Sequence, residues 1–188
     1  MSGTSYRNGL TEESCLAYVV TPEIRDAAAF LAPLEHVLRT LPVAAIRLRL
    51  AEAPRQEMTR TVETVKALVF DYEAALMLEN HPELARLTGC DGAHVAAHDV
   101  ADARAILGKE LQLGASCGFS RDDAMRAGES GADYIAFGPF DHQSEDEGLQ
   151  LLRWWREMME LPVVAECFPQ ETLVPASSPL SGFAVFLA

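Results

Sequence analysis

LQLGASCGFSRDDAMRAGESGADYIAFGPF, residues 111–140, decides the fold. It opens on a short apolar run at 111–115 and closes on another at 134–137. Between them, Ser120-Arg121-Asp122-Asp123 is similar to a capping box ahead of Ala124 and Ala127. Strand, helix and strand in so short a stretch form the repeating unit of a parallel sheet.

Outward from this unit the alternation continues. Further strand candidates lie at residues 16–20, 43–50, 67–70, 92–95, 162–165 and 182–187. Their nearly continuous hydrophobicity suits strands covered on both faces. Thr21-Pro22-Glu23 supplies a helix start, followed at helical spacing by Ile24, Ala27, Ala28 and Leu31. Asp99 opens and Gly108 closes a helix through Ala103, Ile106 and Leu107. Leu149, Leu152, Trp155 and Met159 stripe a sixth helix, where Trp154 and Met158 read as packing.

Eight strands with intervening helices predict an α/β fold, a small (β/α)8 TIM barrel, with a doubly wound sheet as the alternative. The 188 residues fall short of the typical barrel of about 250, so loops must be short. PQETLVPASSPLS at 169–181 holds three prolines, which leaves helix 7 degenerate. The sequence ends directly after the eighth strand candidate, so a missing helix 8 is expected. Residues 1–14 read as a flexible N-terminal tail and 15–188 as a single barrel. The uncovered apolar surface of residues 182–187 calls for the tail or a second subunit, which predicts a homodimer.

Composition narrows the partners. Lys+Arg number 15 against 28 Asp+Glu, a net charge of −13, and there is no basic run for a nucleic-acid backbone. Nothing approaches the roughly 20 apolar residues of a membrane span, and the first residues lack a signal-peptide h-region. The four cysteines are scattered without a CxxC, against a zinc ribbon or a disulfide framework. These features predict a cytoplasmic protein binding a small molecule at the C-terminal face of the barrel. Lys66 and Lys109 are the only lysines, and both precede strands. A barrel aldolase working through a Schiff base needs a lysine at the opposite end.

GCDGAHVAAHDVADARAILG (89–108) and the opening stretch together resemble the thiamine phosphate synthase/TenI family, with GADYIAFGPF the most specific piece. The resemblance implies a (β/α)8 barrel that joins a pyrimidine methyl diphosphate to a thiazole phosphate, releasing diphosphate with Mg2+ bound. TenI relatives aromatise the thiazole instead. Carried over by resemblance, Asp71 and Asp99 match the metal ligands after strands 3 and 4. Arg49 matches the strand 2 arginine, Ser116 the strand 5 serine on the diphosphate, and His94 a histidine of strand 4.

Other family positions differ. The pyrimidine-contacting Asn before the metal Asp falls on Phe70, and the strand 2 lysine falls on Ala51. The T-x-T-K diphosphate cradle reads Gln143, Ser144, Glu145, Asp146, and the phosphate-binding Gly-Gly reads Cys167-Phe168. The serine near the end of strand 8 falls in Phe186-Leu187-Ala188, which has no hydroxyl. Asp71, Asp99, Asp141, Glu145, Asp146 and Glu166 would surround one cation, Arg49, at the mouth. Desolvating a diphosphate there is costly. The expectation is a divergent member, a pseudoenzyme whose synthase activity is lost or much reduced.

Alternatives attach to each residue. Asp99 suits a helix N-cap as well as a metal. Arg49 could clamp an anion or pair with Asp71 or Asp99. His94 reads as a hydrogen-bonded barrel histidine, and Ser116 as a polar loop residue. His94, His98, Cys117, His142, Glu166 and Cys167 form an alternative metal or reactive set of zinc-type ligands. A regulatory ligand-binding barrel and a repurposed metal enzyme are the competing functions.

Overall fold

The computed structural model describes residues 17–140, 145–167 and 184–187. Seven parallel strands curl in sequence order: β1 (Ala17–Ile24), β2 (Val43–Leu50), β3 (Ala75–Glu79), β4 (Gly92–Ala96), β5 (Gln112–Ser116), β6 (Tyr134–Phe140) and β7 (Val163–Cys167). Six helices connect them: α1 (Ala27–Thr40), α2 (Arg55–Phe70), α3 (Pro82–Thr88), α4 (Val100–Leu107), α5 (Arg121–Glu129) and α6 (Glu145–Met158).

The eighth strand corrects the expected topology. Ala184–Leu187 (β8) pairs with β1 and β7 but runs antiparallel to both, so the eightfold βα repeat is not completed. A parallel eighth strand needs a crossover to the far end of the sheet, usually a helix, whereas an antiparallel one only has to turn back. The expected tail at 1–14 and the proline-rich stretch at 169–181 lie outside the described residues.

The third strand was also expected in the wrong place. Residues 67–70 are the last turn of α2, and Phe70 is 78% exposed. Thr61, Val62, Val65 and Val69 form the buried face of α2 at i, i+1, i+4 and i+8, which is helical spacing. The strand itself is the next apolar run, ALMLE. Likewise Thr21-Pro22-Glu23 lies within β1, and α1 starts later, where Asp26 caps Ala28 N–H at 3.0 Å. Ser120 caps α5 as the sequence predicts, accepting from Asp123 N–H at 3.1 Å.

Two matching staples fix the bottom of the sheet, the end where the strands begin. Asp91 N–H donates to Leu76 O, and its carboxylate accepts from Leu76 N–H at 2.7 Å. Asp133 does the same with Leu113, at 2.7 and 2.8 Å. Gly89 and Gly131 precede them with φ of 62° and 102°, a backbone region open chiefly to glycine. The G-x-D pattern of GCD and GAD therefore sets strand register, and its chemistry is structural.

Hydrophobic side chains divide into two populations. Ile46, Leu48, Leu76, Leu78, Ala93, Val95, Leu113 and Ile135 point outward against the helices. Tyr18, Val20, Met77, Tyr134, Ala136 and Val164 fill the inside of the curl. Alternation along each strand makes this division. It also puts Arg47, Arg49 and Glu79 on the inner face, and His94 lies there against Tyr18 and Tyr134.

Candidate active site

The strand carboxyl ends form the top of the curled sheet, and five charged side chains meet there. Arg47 is 7% exposed, and its Nη1 donates to Glu166 Oε1 at 2.6 Å. Its Nε stands 3.0 Å from Glu79 Oε2, as an ion pair without hydrogen-bond alignment. Arg49 Nε donates to the other oxygen of Glu79, also at 3.0 Å, and Arg49 Nη2 lies 3.5 Å from Glu23. Burial pulls the Arg47 pKa down, but Glu166, Tyr18 and Glu79 more than offset it, and the net direction is up. Arg47 is thus a permanent buried cation held by two carboxylates.

Beside this lattice runs a chain of neutral groups. His94 Nε2 lies 2.7 Å from Ser116 Oγ and 4.0 Å from Glu166 Oε1. His94 Nδ1 lies 3.0 Å from Tyr134 OH, which is 2.7 Å from Tyr18 OH. Burial, then the nearby Arg47, hold the His94 pKa well below 6.5, so the imidazole stays neutral. Burial also raises both tyrosines, which keep their protons. Gly114, paired with His94 and Tyr134 across the sheet, makes this approach possible, because a Cβ there would collide with both rings.

Several expected site residues lie elsewhere. Asp71 is the exposed C-cap of α2, donating its N–H to Leu68 O at 3.2 Å, at the bottom end of β3. It cannot join Asp99 at the top, because residues 67–70 are helix. With β3 at Ala75–Glu79, the strand-end pair sought in Phe70 and Asp71 falls on Glu79 and Asn80. Asp99 occupies the N-cap position of α4 without a side-chain cap bond, and it sits 3.4 Å from His98 Nε2. Arg49 pairs with Glu79 and Glu23, and not with Asp71 or Asp99. Ser116 is half-buried at the end of β5.

The donor set fits a resident Mg2+ poorly. One expected ligand is at the wrong end, Glu79 faces two arginines, and Asp99 is left as an exposed carboxylate. Magnesium bound through one or two carboxylates draws its remaining ligands from water and phosphates. The alternative zinc-type set is also dispersed. His98 is exposed, His94 and Glu166 are tied into the networks above, and Cys117 is buried. Burial, then Asp123, pushes the Cys117 thiol up to about 12, so it carries little thiolate at neutral pH. Among the described residues no group of three or more His, Cys, Asp or Glu is placed to hold a metal. Asp141, His142 and the Cys167 side chain lie outside the described residues, as do Gln143, Ser144 and the Glu145 side chain of the expected diphosphate cradle.

The parts that sequence reasoning missed are Arg47, Glu79, Tyr18 and Tyr134. Arg47 had a signal, since Arg47-Leu48-Arg49 alternates and Leu48 belongs to the outer core. The family comparison covers these same strands, and a model described as thiamine monophosphate synthase matches residues 17–166. The chain belongs to this family. It is 40% identical over 158 residues to the thiamine-phosphate synthase of Rhodospirillum centenum, covering 80% of this chain and 76% of that one. It is 39% identical over 160 residues to that of Hyphomonas neptunium, covering 79% and 72%. Thiamine phosphate pyrophosphorylase from Pyrococcus furiosus superposes with a TM-score of 0.69 at 27% identity, covering 82% of this chain and 76% of that one. A 3-dehydroquinate dehydratase from Geobacillus kaustophilus, at 14% identity, TM-score 0.65 and 80% and 72% coverage, shares the fold alone. No helix among the described residues is long and apolar enough to cross a membrane.

Proposed function

We propose that this thiamine phosphate synthase family member binds a small molecule at the top of its barrel and has lost most or all synthase turnover. The supporting observation is that Arg47 and Arg49, the two arginines on the inner face of β2, face carboxylates of the chain itself. Joining pyrimidine diphosphate to thiazole phosphate releases diphosphate, and the departing charge needs preorganised donors. Arg47 is held between Glu166 and Glu79, and Arg49 between Glu79 and Glu23. An incoming diphosphate would have to compete with those carboxylates for both guanidiniums.

What remains is a site for recognition. Ser116 offers a hydroxyl at the end of β5, backed by the neutral chain of His94, Tyr134 and Tyr18. These groups can orient a polar ligand atom without changing charge. Magnesium, in this reading, arrives with a phosphate ligand if it comes at all, and no step depends on it. A cytoplasmic location is part of the same reading.

Calorimetry tests it. Pyrimidine diphosphate and thiazole phosphate are each titrated into the full chain, with and without magnesium. Weak binding that magnesium does not strengthen is the expected result. Tight, magnesium-dependent binding of pyrimidine diphosphate contradicts the proposal.

A further inference from the structure

We infer that Glu79 determines the specificity of the barrel mouth, because its carboxylate occupies the seat between Arg47 and Arg49 that an anionic ligand group would take. The inference rests on the recognition reading above and names the residue that sets the ligand's chemistry.

Glu79 gives one oxygen to each guanidinium, Oε2 to Arg47 and Oε1 to Arg49, both at 3.0 Å. Two arginines converging on one carboxylate are the geometry by which proteins hold carboxylate or phosphate ligands. The convergence follows from the strands. Arg47 and Arg49 alternate onto the inner face of β2, and Glu79 ends the adjacent β3 two residues beyond Met77, the register partner of Arg47. Glu79 is itself fixed by pairing with His94 on β4. A carboxylate held on a strand competes at an effective concentration that a free ligand cannot match.

The other two carboxylates do not fill this role. Glu166 holds Arg47 from the β7 side, where both side chains are under one tenth exposed. Glu23 touches only Arg49, at 3.5 Å and largely in solvent. Glu79 alone bridges the two cations among the described residues. The group that a ligand presents to this corner is therefore neutral, a hydrogen-bonding heterocycle edge or hydroxyl in place of a phosphoryl group.

Replacing Glu79 tests this as a gain of binding. Inorganic diphosphate is titrated calorimetrically into the wild-type chain, Glu79→Gln and Glu23→Gln, each checked for folding by circular dichroism. Glu79→Gln should bind diphosphate at least roughly tenfold more tightly than wild type, the scale of one charge-assisted hydrogen bond. Adding Arg49→Met should abolish the gain, and Glu23→Gln should bind as wild type does. No gain in folded Glu79→Gln, or an equal gain in Glu23→Gln, overturns the inference. A measurement on wild type needs no variant: the Nε–H resonances of Arg47 and Arg49 should stay unshifted in millimolar diphosphate, and a shift of both overturns it. Synthase turnover by wild type would instead strike the reading under Proposed function.

Discussion

His94 and Ser116 share a hydrogen bond of 2.7 Å between Nε2 and Oγ, with His94 only 1% exposed. The direction of that bond follows from its surroundings. Glu166 Oε1 lies 4.0 Å from Nε2 and favours a proton there, which leaves Nδ1 to accept from Tyr134 OH. His94 then donates to Ser116, and the serine proton is free to turn toward a ligand. An imidazole in this state is a poor general base, because burial and then the nearby Arg47 disfavour the imidazolium. Under the proposed function Ser116 would donate to a ligand, since His94 offers it no base that would make it a nucleophile.

Nitrogen-15 spectra of the imidazole read this arrangement. His94 should show Nε2 protonated and Nδ1 bare between pH 6 and 8, with no titration. Tyr134→Phe removes the donor to Nδ1 and should mix the two tautomers, at a stability cost of about 1–3 kcal/mol for the unsatisfied buried group. A single Nδ1–H tautomer in wild type would contradict the assignment.

Stability should fall on mild acidification. The unfolded chain takes up a proton on His94 near pH 6.5, while the folded chain, with its pKa depressed by burial and Arg47, does not. The unfolded state binds more protons below that pH, so folding loses free energy as the pH drops toward the folded-state pKa. One group can contribute at most about 1.4 kcal/mol per pH unit. Denaturant melts at pH 7, 6 and 5 should show a shallower slope for His94→Gln than for wild type. Equal slopes would show that His94 is not the group responsible.

The Arg47–Glu166 pair should behave as a unit. Arg47→Met leaves Glu166 buried without its cation and should cost about 3–5 kcal/mol. Arg47→Met with Glu166→Leu removes both charges and should recover most of that loss. Chemical denaturation of the two single variants and the double variant gives the coupling. Additive losses would mean that the two side chains do not depend on each other.

Much of this was legible in the sequence, and particular residues explain what was not. Residues 43–50 read as a strand and are β2, and the 111–140 unit folds as strand, helix, strand. Residues 67–70 misled because a four-residue apolar run has no periodicity of its own, and only the wider spacing of Val62, Val65 and Val69 marks it as helix. That single slip moved the expected metal ligand from Asn80 to Asp71, the length of a strand away. The direction of β8 was hidden because hydrophobicity carries no polarity.

The charge lattice was illegible for a different reason. Arg47 and Glu166 are 119 residues apart and meet only because alternation turns both inward on strands brought near each other. The expected acidic mouth did place Glu166 near Arg49, but without Arg47 and Glu79 it looked like excess negative charge. In the structure Glu166, together with Glu79, is a counterion to the buried Arg47.

The most direct test is turnover. The full chain and the Rhodospirillum centenum relative are assayed side by side with pyrimidine diphosphate, thiazole phosphate and magnesium. If the mouth arginines are held by Glu79 and Glu166, this chain should run at least roughly a hundredfold more slowly, the cost of losing one preorganised donor. Turnover at the relative's rate would contradict the account.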